Sequence, residues 1–110
     1  MTAKPVVLRE RAEADIDETA AHYLAEGGAD LVLRFIDALE TAMDHIGRHP
    51  ATGSPPYAAE LDLRGLRFWR LKRFPYLIFY VERESDVDVW RLLHGQRDIP
   101  AWLGEGDVAP

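Results

Sequence analysis

The chain has 110 residues, enough for one small domain with a single core. It contains no cysteine, which excludes disulfides, thiolate-ligated zinc and a cysteine nucleophile and suits a reducing cytoplasm. The net charge of −6 argues against a main affinity for phosphate backbone, yet it is unevenly spread: residues 1–63 carry 5 Lys and Arg against 12 Asp and Glu, residues 64–97 carry 8 against 4, and residues 98–110 carry 3 acidic residues and no Lys or Arg.

Lys4 to Leu8 (KPVVL) is a short β-branched run beginning beside a proline, which suits a strand at a sheet edge, where Pro5 need donate no hydrogen bond. From about Arg11 to Glu26, Ala12, Ile16, Ala20, Tyr23 and Leu24 recur at helical spacing, with Glu10, Glu13, Asp15, Asp17 and Glu18 crowded where the helix dipole favours anions. Gly27-Gly28 ends that helix. A second runs from about Asp30 to His49 on the stripe Leu31, Phe35, Leu39, Ala42 and Ile46, widened by Val32, Ile36 and Met43. So short a junction predicts an antiparallel helical hairpin with one joint apolar face.

Pro50 to Pro56 holds three prolines and a glycine, which stops the helix and opens an irregular connection reaching about Leu63. Three strands follow: Gly65 to Leu71, Pro75 to Glu82 and Val87 to His94. The middle one is a continuous apolar run, as in a strand covered on both faces, and Arg83-Glu84-Ser85-Asp86 reads as the hairpin turn before the last. The fold class is therefore α+β, in the order β-α-α-β-β-β, with a helical hairpin packed on a mostly antiparallel sheet. One domain over residues 1–103 is expected, with Trp102 docked and residues 104–110 as a flexible tail. No stretch approaches the roughly 20 apolar residues of a membrane span, and the first 18 residues lack a signal-peptide core. A soluble cytoplasmic protein with no membrane partner is expected.

The stretch FPYLIFYVERESDVDVWRLLHGQRDIP, Phe74 to Pro100, resembles the C-terminal half of ParE-type toxins, where a PYxI(F)Y strand, a hairpin and a strand ending in LHxxRD follow one another. The front is similar as well, with RAEADIDETAAHY (Arg11 to Tyr23), HPATG (His49 to Gly53) and LRGLRFWRL (Leu63 to Leu71) in the family's order. The chain thus resembles a RelE/ParE-type toxin of a type II toxin–antitoxin system, closest to ParE. That resemblance implies a growth-inhibiting toxin of the kind that serves plasmid stabilization, inhibiting DNA gyrase without chemistry of its own and neutralised by a cognate ParD-like antitoxin. It implies no cofactor. A RelE-like ribosome-dependent mRNA endonuclease is the alternative, and a non-toxic binding partner in a stabilisation complex is a third reading.

An endonuclease needs a proton acceptor, a proton donor and cations for the phosphate, and His94, Arg97 and Arg91 are the candidates. RelE-like enzymes tend to place Tyr or His near the C-terminus, and after Asp98 this chain has neither. A gyrase inhibitor needs a contact surface instead. For contact with target or antitoxin the candidates are Arg64, Arg67, Trp69, Arg70, Lys72, Arg73 and Arg97, although strand alternation sends Arg67 and Trp69 to one face and Phe68 and Arg70 to the other. The antitoxin tail is expected along the helical hairpin and basic sheet, its acidic residues meeting Arg67, Arg70 or Arg73. The negative net charge leaves direct nucleic-acid contact open.

Three segments have a plain structural reading. In His94-Gly95-Gln96-Arg97-Asp98, Gly95 allows a tight turn, Asp98 caps or pairs with Arg97, and His94 bonds backbone at the strand end, or else His94 and Arg97 face the target. Tyr76, Ile78 and Tyr80 share one strand face, opposite Leu77, Phe79 and Val81, as core packing requires. His45 and His49 stand one helical turn apart near a helix C-terminus, where the dipole favours cationic side chains, and no metal is expected there.

Overall fold

A computed structural model of the chain describes residues 3–53 and 65–98. The expectations for Arg64, for the rest of the connection after Gly53, for Trp102 and for the 104–110 tail lie outside these residues. In chain order the elements are β1 (Val6–Leu8), α1 (Glu10–Arg48), β2 (Leu66–Arg70), β3 (Tyr76–Glu82) and β4 (Val87–His94), with a 3-10 turn at Pro50–Thr52.

The two expected helices are the two arms of α1, divided at Gly28, where φ is 76° and ψ is −168°. Positive φ is the conformation that glycine adopts without a Cβ penalty, and there the chain reverses. Tyr23 and Phe35, one on each arm, meet with ring centroids 5.5 Å apart, whereas twelve residues of straight helix would hold them about 18 Å apart. Phe74 and Tyr76 complete the cluster against Tyr23, at 5.2 and 6.2 Å, and so pin both arms to the sheet. Glu10 and Glu13 occupy the first turn, and His45 and Arg48 the last, each sign where the helix dipole favours it.

The sheet order is β1-β4-β3-β2. β2 and β4 each pair antiparallel with β3, and β1 alone runs parallel, with Val6 opposite Val87 and Leu8 opposite Val89. Pro5 accepts from the Val87 N–H at 2.9 Å, which uses its carbonyl and asks for no donor. Alternation along β3 divides the core: Tyr76, Ile78 and Tyr80 pack with Phe35, Leu39, Ala42 and Ile46 of α1, while Leu77 and Phe79 join Leu66, Trp90 and Leu93 in a second cluster on the other face. The expectation of a strand buried on both sides holds, since Tyr76 to Tyr80 are all buried. Among the described residues no helix is long and apolar enough to cross a membrane.

Register slips once. Phe79 faces Arg91 but Tyr80 faces Val89, so Trp90 is the extra residue of a β-bulge in β4. Its indole N–H donates to Asp88 Oδ2 at 3.0 Å, and the Arg9 guanidinium lies 4.5 Å from its ring centroid while bonding both Asp88 oxygens. Burial would raise the Asp88 carboxyl, but the hydrogen bonds from Arg9 and Trp90 and the charges of Arg9 and Arg83 outweigh it and hold it below its ordinary value. This ties the start of α1 to the sheet; Arg9, at the N-cap, makes no side-chain cap bond, since a guanidinium has no acceptor to offer.

The 3-10 turn is fastened as firmly. The buried Tyr80 hydroxyl donates to the Pro50 carbonyl at 2.7 Å, and Arg67 Nη1 donates to the Gly53 carbonyl at 2.7 Å. A Cβ at Gly53 would overlap the Tyr80 hydroxyl and come within 3.0 Å of the Phe68 carbonyl oxygen. We therefore expect Gly53→Ala to destabilise the fold by about 2 kcal/mol through overpacking, measurable as a lower midpoint in urea at unchanged m-value. Wild-type stability in that variant would mean that the phenol yields freely.

Candidate functional site

The basic segment folds into a tight turn between β2 and β3, closed by the Leu71 N–H donating to the Tyr76 carbonyl at 3.0 Å. Within it Arg73 has a φ of 71°, the left-handed region, and it is the one non-glycine residue so placed among the described residues. That conformation costs an L-residue about 1–2 kcal/mol, which the surrounding turn must offset to hold Arg73 there. Lys72 and Arg73 are both exposed.

Opposite this turn stands the second arm of α1. Between them lies a groove of about 590 Å³ lined by Leu31, Ala38, Thr41 and Phe74 and by the charged Arg34, Asp37, Lys72 and Arg73. Leu31, Ala38 and Phe74 are half-buried, whereas the four charged residues are exposed. Three cations against one carboxylate beside apolar surface suit a segment that is itself apolar and acidic. The sequence reading gathered Lys72 and Arg73 from one contiguous stretch and missed Arg34. A signal for it existed: Arg34 is the sole Lys or Arg between Ala12 and Gly47 of an acidic hairpin.

The remaining candidates are dispersed. Arg67 is half-buried and spent on the Gly53 carbonyl. Trp69 stacks on His45 with centroids 4.0 Å apart, on the helical side of the sheet as alternation predicts, while Phe68 meets Phe79 at 5.8 Å on the other. Arg70 is exposed at the end of β2. His45 Nε2 is within hydrogen-bond distance of Thr52 Oγ1, at 2.9 Å, and His49 lies 5.4 Å from it ring to ring.

Arg91, Arg97 and His94 lie at the far end of β4. Arg91 is bonded twice to Asp15, at 2.8 and 3.0 Å, and the same carboxylate accepts the Leu92 N–H at 3.0 Å, so one α1 side chain holds down the strand. Arg97 Nη2 donates to the Tyr76 hydroxyl at 3.3 Å. His94 Nδ1 accepts the N–H groups of Gln96 and Arg97, and the His94 N–H donates to Asp98. Thus Asp98 caps the strand end rather than pairing with Arg97. Of these groups Asp15, Tyr76, Leu92, Arg97 and Asp98 border a small polar cleft of about 230 Å³ that also includes Glu18, Thr19 and His22.

Fold and groove together define a small α+β protein whose helical hairpin and basic sheet turn enclose a charged, partly apolar groove. Residues 6–99 match the family described as the ParE toxin of type II toxin-antitoxin system, parDE. The chain belongs to this family. A solved structure described as the chromosomal ParDE TA system from P. aeruginosa is similar to it with a TM-score of 0.69 at 16% identity, covering 84% of this chain and 96% of that one, a likeness of fold. No curated protein matches the chain significantly.

Proposed function

We propose that this ParE-family toxin inhibits DNA gyrase, in the cytoplasm, and is neutralised by a cognate ParD-like antitoxin whose tail occupies the groove between α1 and the β2–β3 turn. The family match over residues 6–99 carries the reading. Two features of the site support it. The groove offers Arg34, Lys72 and Arg73 beside Leu31, Ala38 and Phe74, a surface for an amphipathic acidic tail. Each of the three candidates for RNA cleavage is already engaged in structural bonding: Arg91 with Asp15, Arg97 with Tyr76, and His94 with two backbone N–H groups.

The experiment is a gyrase assay with purified toxin, supercoiled plasmid, gyrase and ATP, in which detergent and protease reveal trapped double-strand breaks. Linear plasmid that depends on both gyrase and toxin is the expected result. Folded, antitoxin-free toxin that neither traps breaks nor slows supercoiling would sink the gyrase reading and bring ribosome-dependent mRNA cleavage, or a non-toxic binding role, to the front.

A further inference from the structure

The exit of β4 is closed by one imidazole. His94 Nδ1 accepts from Gln96 N–H at 3.1 Å and from Arg97 N–H at 3.2 Å. The His94 N–H reaches Asp98 Oδ2 at 2.8 Å, and the Gly95 N–H reaches the Pro75 carbonyl at 2.8 Å. The ring stands edge-on to Tyr76, centroids 5.3 Å apart. A ring nitrogen that accepts hydrogen bonds carries no proton, so the neutral tautomer here is the one protonated at Nε2. An imidazolium has donors on both nitrogens and no acceptor at all. It cannot make either bond to the turn.

Arg97 depends on that closure. Its backbone N–H is one of the two that Nδ1 holds, and its guanidinium rests on the Tyr76 hydroxyl at the border of the polar cleft. We propose that His94 is a pH-sensitive latch: neutral, it closes residues 95–97 into a turn and seats Arg97 on Tyr76, and protonated, it releases the Gln96 and Arg97 N–H groups and Arg97 with them.

The charged and titratable groups facing the latch come from three elements. Arg97 and Asp98 belong to the turn, Tyr76 to β3, and Asp15, Glu18 and His22 of α1 line the adjoining cleft with Arg97 and Asp98. Burial and then the Arg97 charge push the His94 pKa down, with Asp98 opposing. With the folded pKa lowered, the contribution of the latch is complete above the unfolded value of about 6.5, and it is lost as pH falls through the lower folded value. Closed is thus the neutral-pH state.

Nitrogen NMR of the imidazole and amide exchange on the full chain, from about pH 7.5 down to about pH 5, test this directly. As the ring gains its proton, protection of the Gln96 and Arg97 amides, corrected for intrinsic exchange, should fall about tenfold or more, while the β3 amides keep theirs. In His94→Asn an oxygen that does not titrate accepts the same local N–H groups, so protection should persist across the range. His94→Ala should lack it throughout. The latch is refuted if the wild-type Gln96 and Arg97 amides stay protected after the ring has titrated, if the ring stays neutral until the whole fold is lost, or if His94→Asn repeats the wild-type pH profile.

Discussion

Toxin carrying Arg34→Glu, Lys72→Glu and Arg73→Glu together is expected to bind its cognate antitoxin about a hundredfold more weakly than wild type, three exposed interface charges at roughly 1 kcal/mol each. The three cations converge from α1 and from the β2–β3 turn on one groove beside Leu31, Ala38 and Phe74, so their charges would act together on a segment bound there. Binding should also lose most of its salt dependence, because oppositely charged partners at a rim act chiefly through long-range attraction and association rate. Calorimetry or surface-binding kinetics at two ionic strengths measures both. Arg70→Glu is the comparison: Arg70 is exposed but outside the groove, and its reversal should leave affinity within about threefold. Equal losses from the triple variant and from Arg70→Glu would relocate the tail to the sheet. No loss from either would remove the groove as its site.

The second large effect concerns the fold. Asp15→Ala should lower stability by about 3 kcal/mol, because one carboxylate serves two bonds to Arg91 and one to the Leu92 N–H. The Asp15 and Arg91 side chains retain 13% and 18% exposure, so the value is set at the low end for breaking a buried ion pair. Asp15→Asn separates the contributions. Its amide oxygen can still accept from Leu92, so about half the loss should return if the backbone bond dominates. Chemical denaturation of the three proteins at one pH decides it, and a stable Asp15→Ala protein would show that α1 is held by its apolar stripe alone.

That pair marks where the sequence stopped being informative. Periodicity placed both arms of α1, and the apolar run placed β3, because these are local patterns that the core enforces: Phe35, Leu39, Ala42 and Ile46 are all buried, as are Tyr76 and Ile78. The proline rule placed β1 at an edge, and its strand is shorter than expected, Val6–Leu8, since Lys4 turns away to give its N–H to the Gly47 carbonyl. Asp15, by contrast, looked like one of five acidic residues suited to a helix start. Its partner lies 76 positions away, and no local pattern records such a pairing.

The candidate groove was legible in the same partial way. Lys72 and Arg73 stood out as charge, but Arg67 and Trp69, equally prominent in the sequence, proved to fasten the 3-10 turn and to stack on His45. Arginine in a strand reads alike whether its guanidinium meets a partner or a carbonyl of its own chain. The left-handed backbone of Arg73 had no signal at all, since glycine is the residue that would announce it. Of the readings left open for His94, the strand-end hydrogen bonding is present, and the structure adds which ring nitrogen is used.

The parallel pairing of β1 with β4 has a kinetic side. Among the described residues Val6 to Leu8 find their partners at Val87 to Val89, so the first of the four described strands is closed by the last of them. Contacts of such sequence separation form late and slowly, because the loop entropy between them must be met before they add any stability. During synthesis the helical hairpin can form early, but the sheet stays open at β1 until β4 has left the ribosome. The protein therefore passes through its own translation without a completed fold, and a partner present at that moment meets the hairpin and its groove residue Arg34 before it meets the finished toxin.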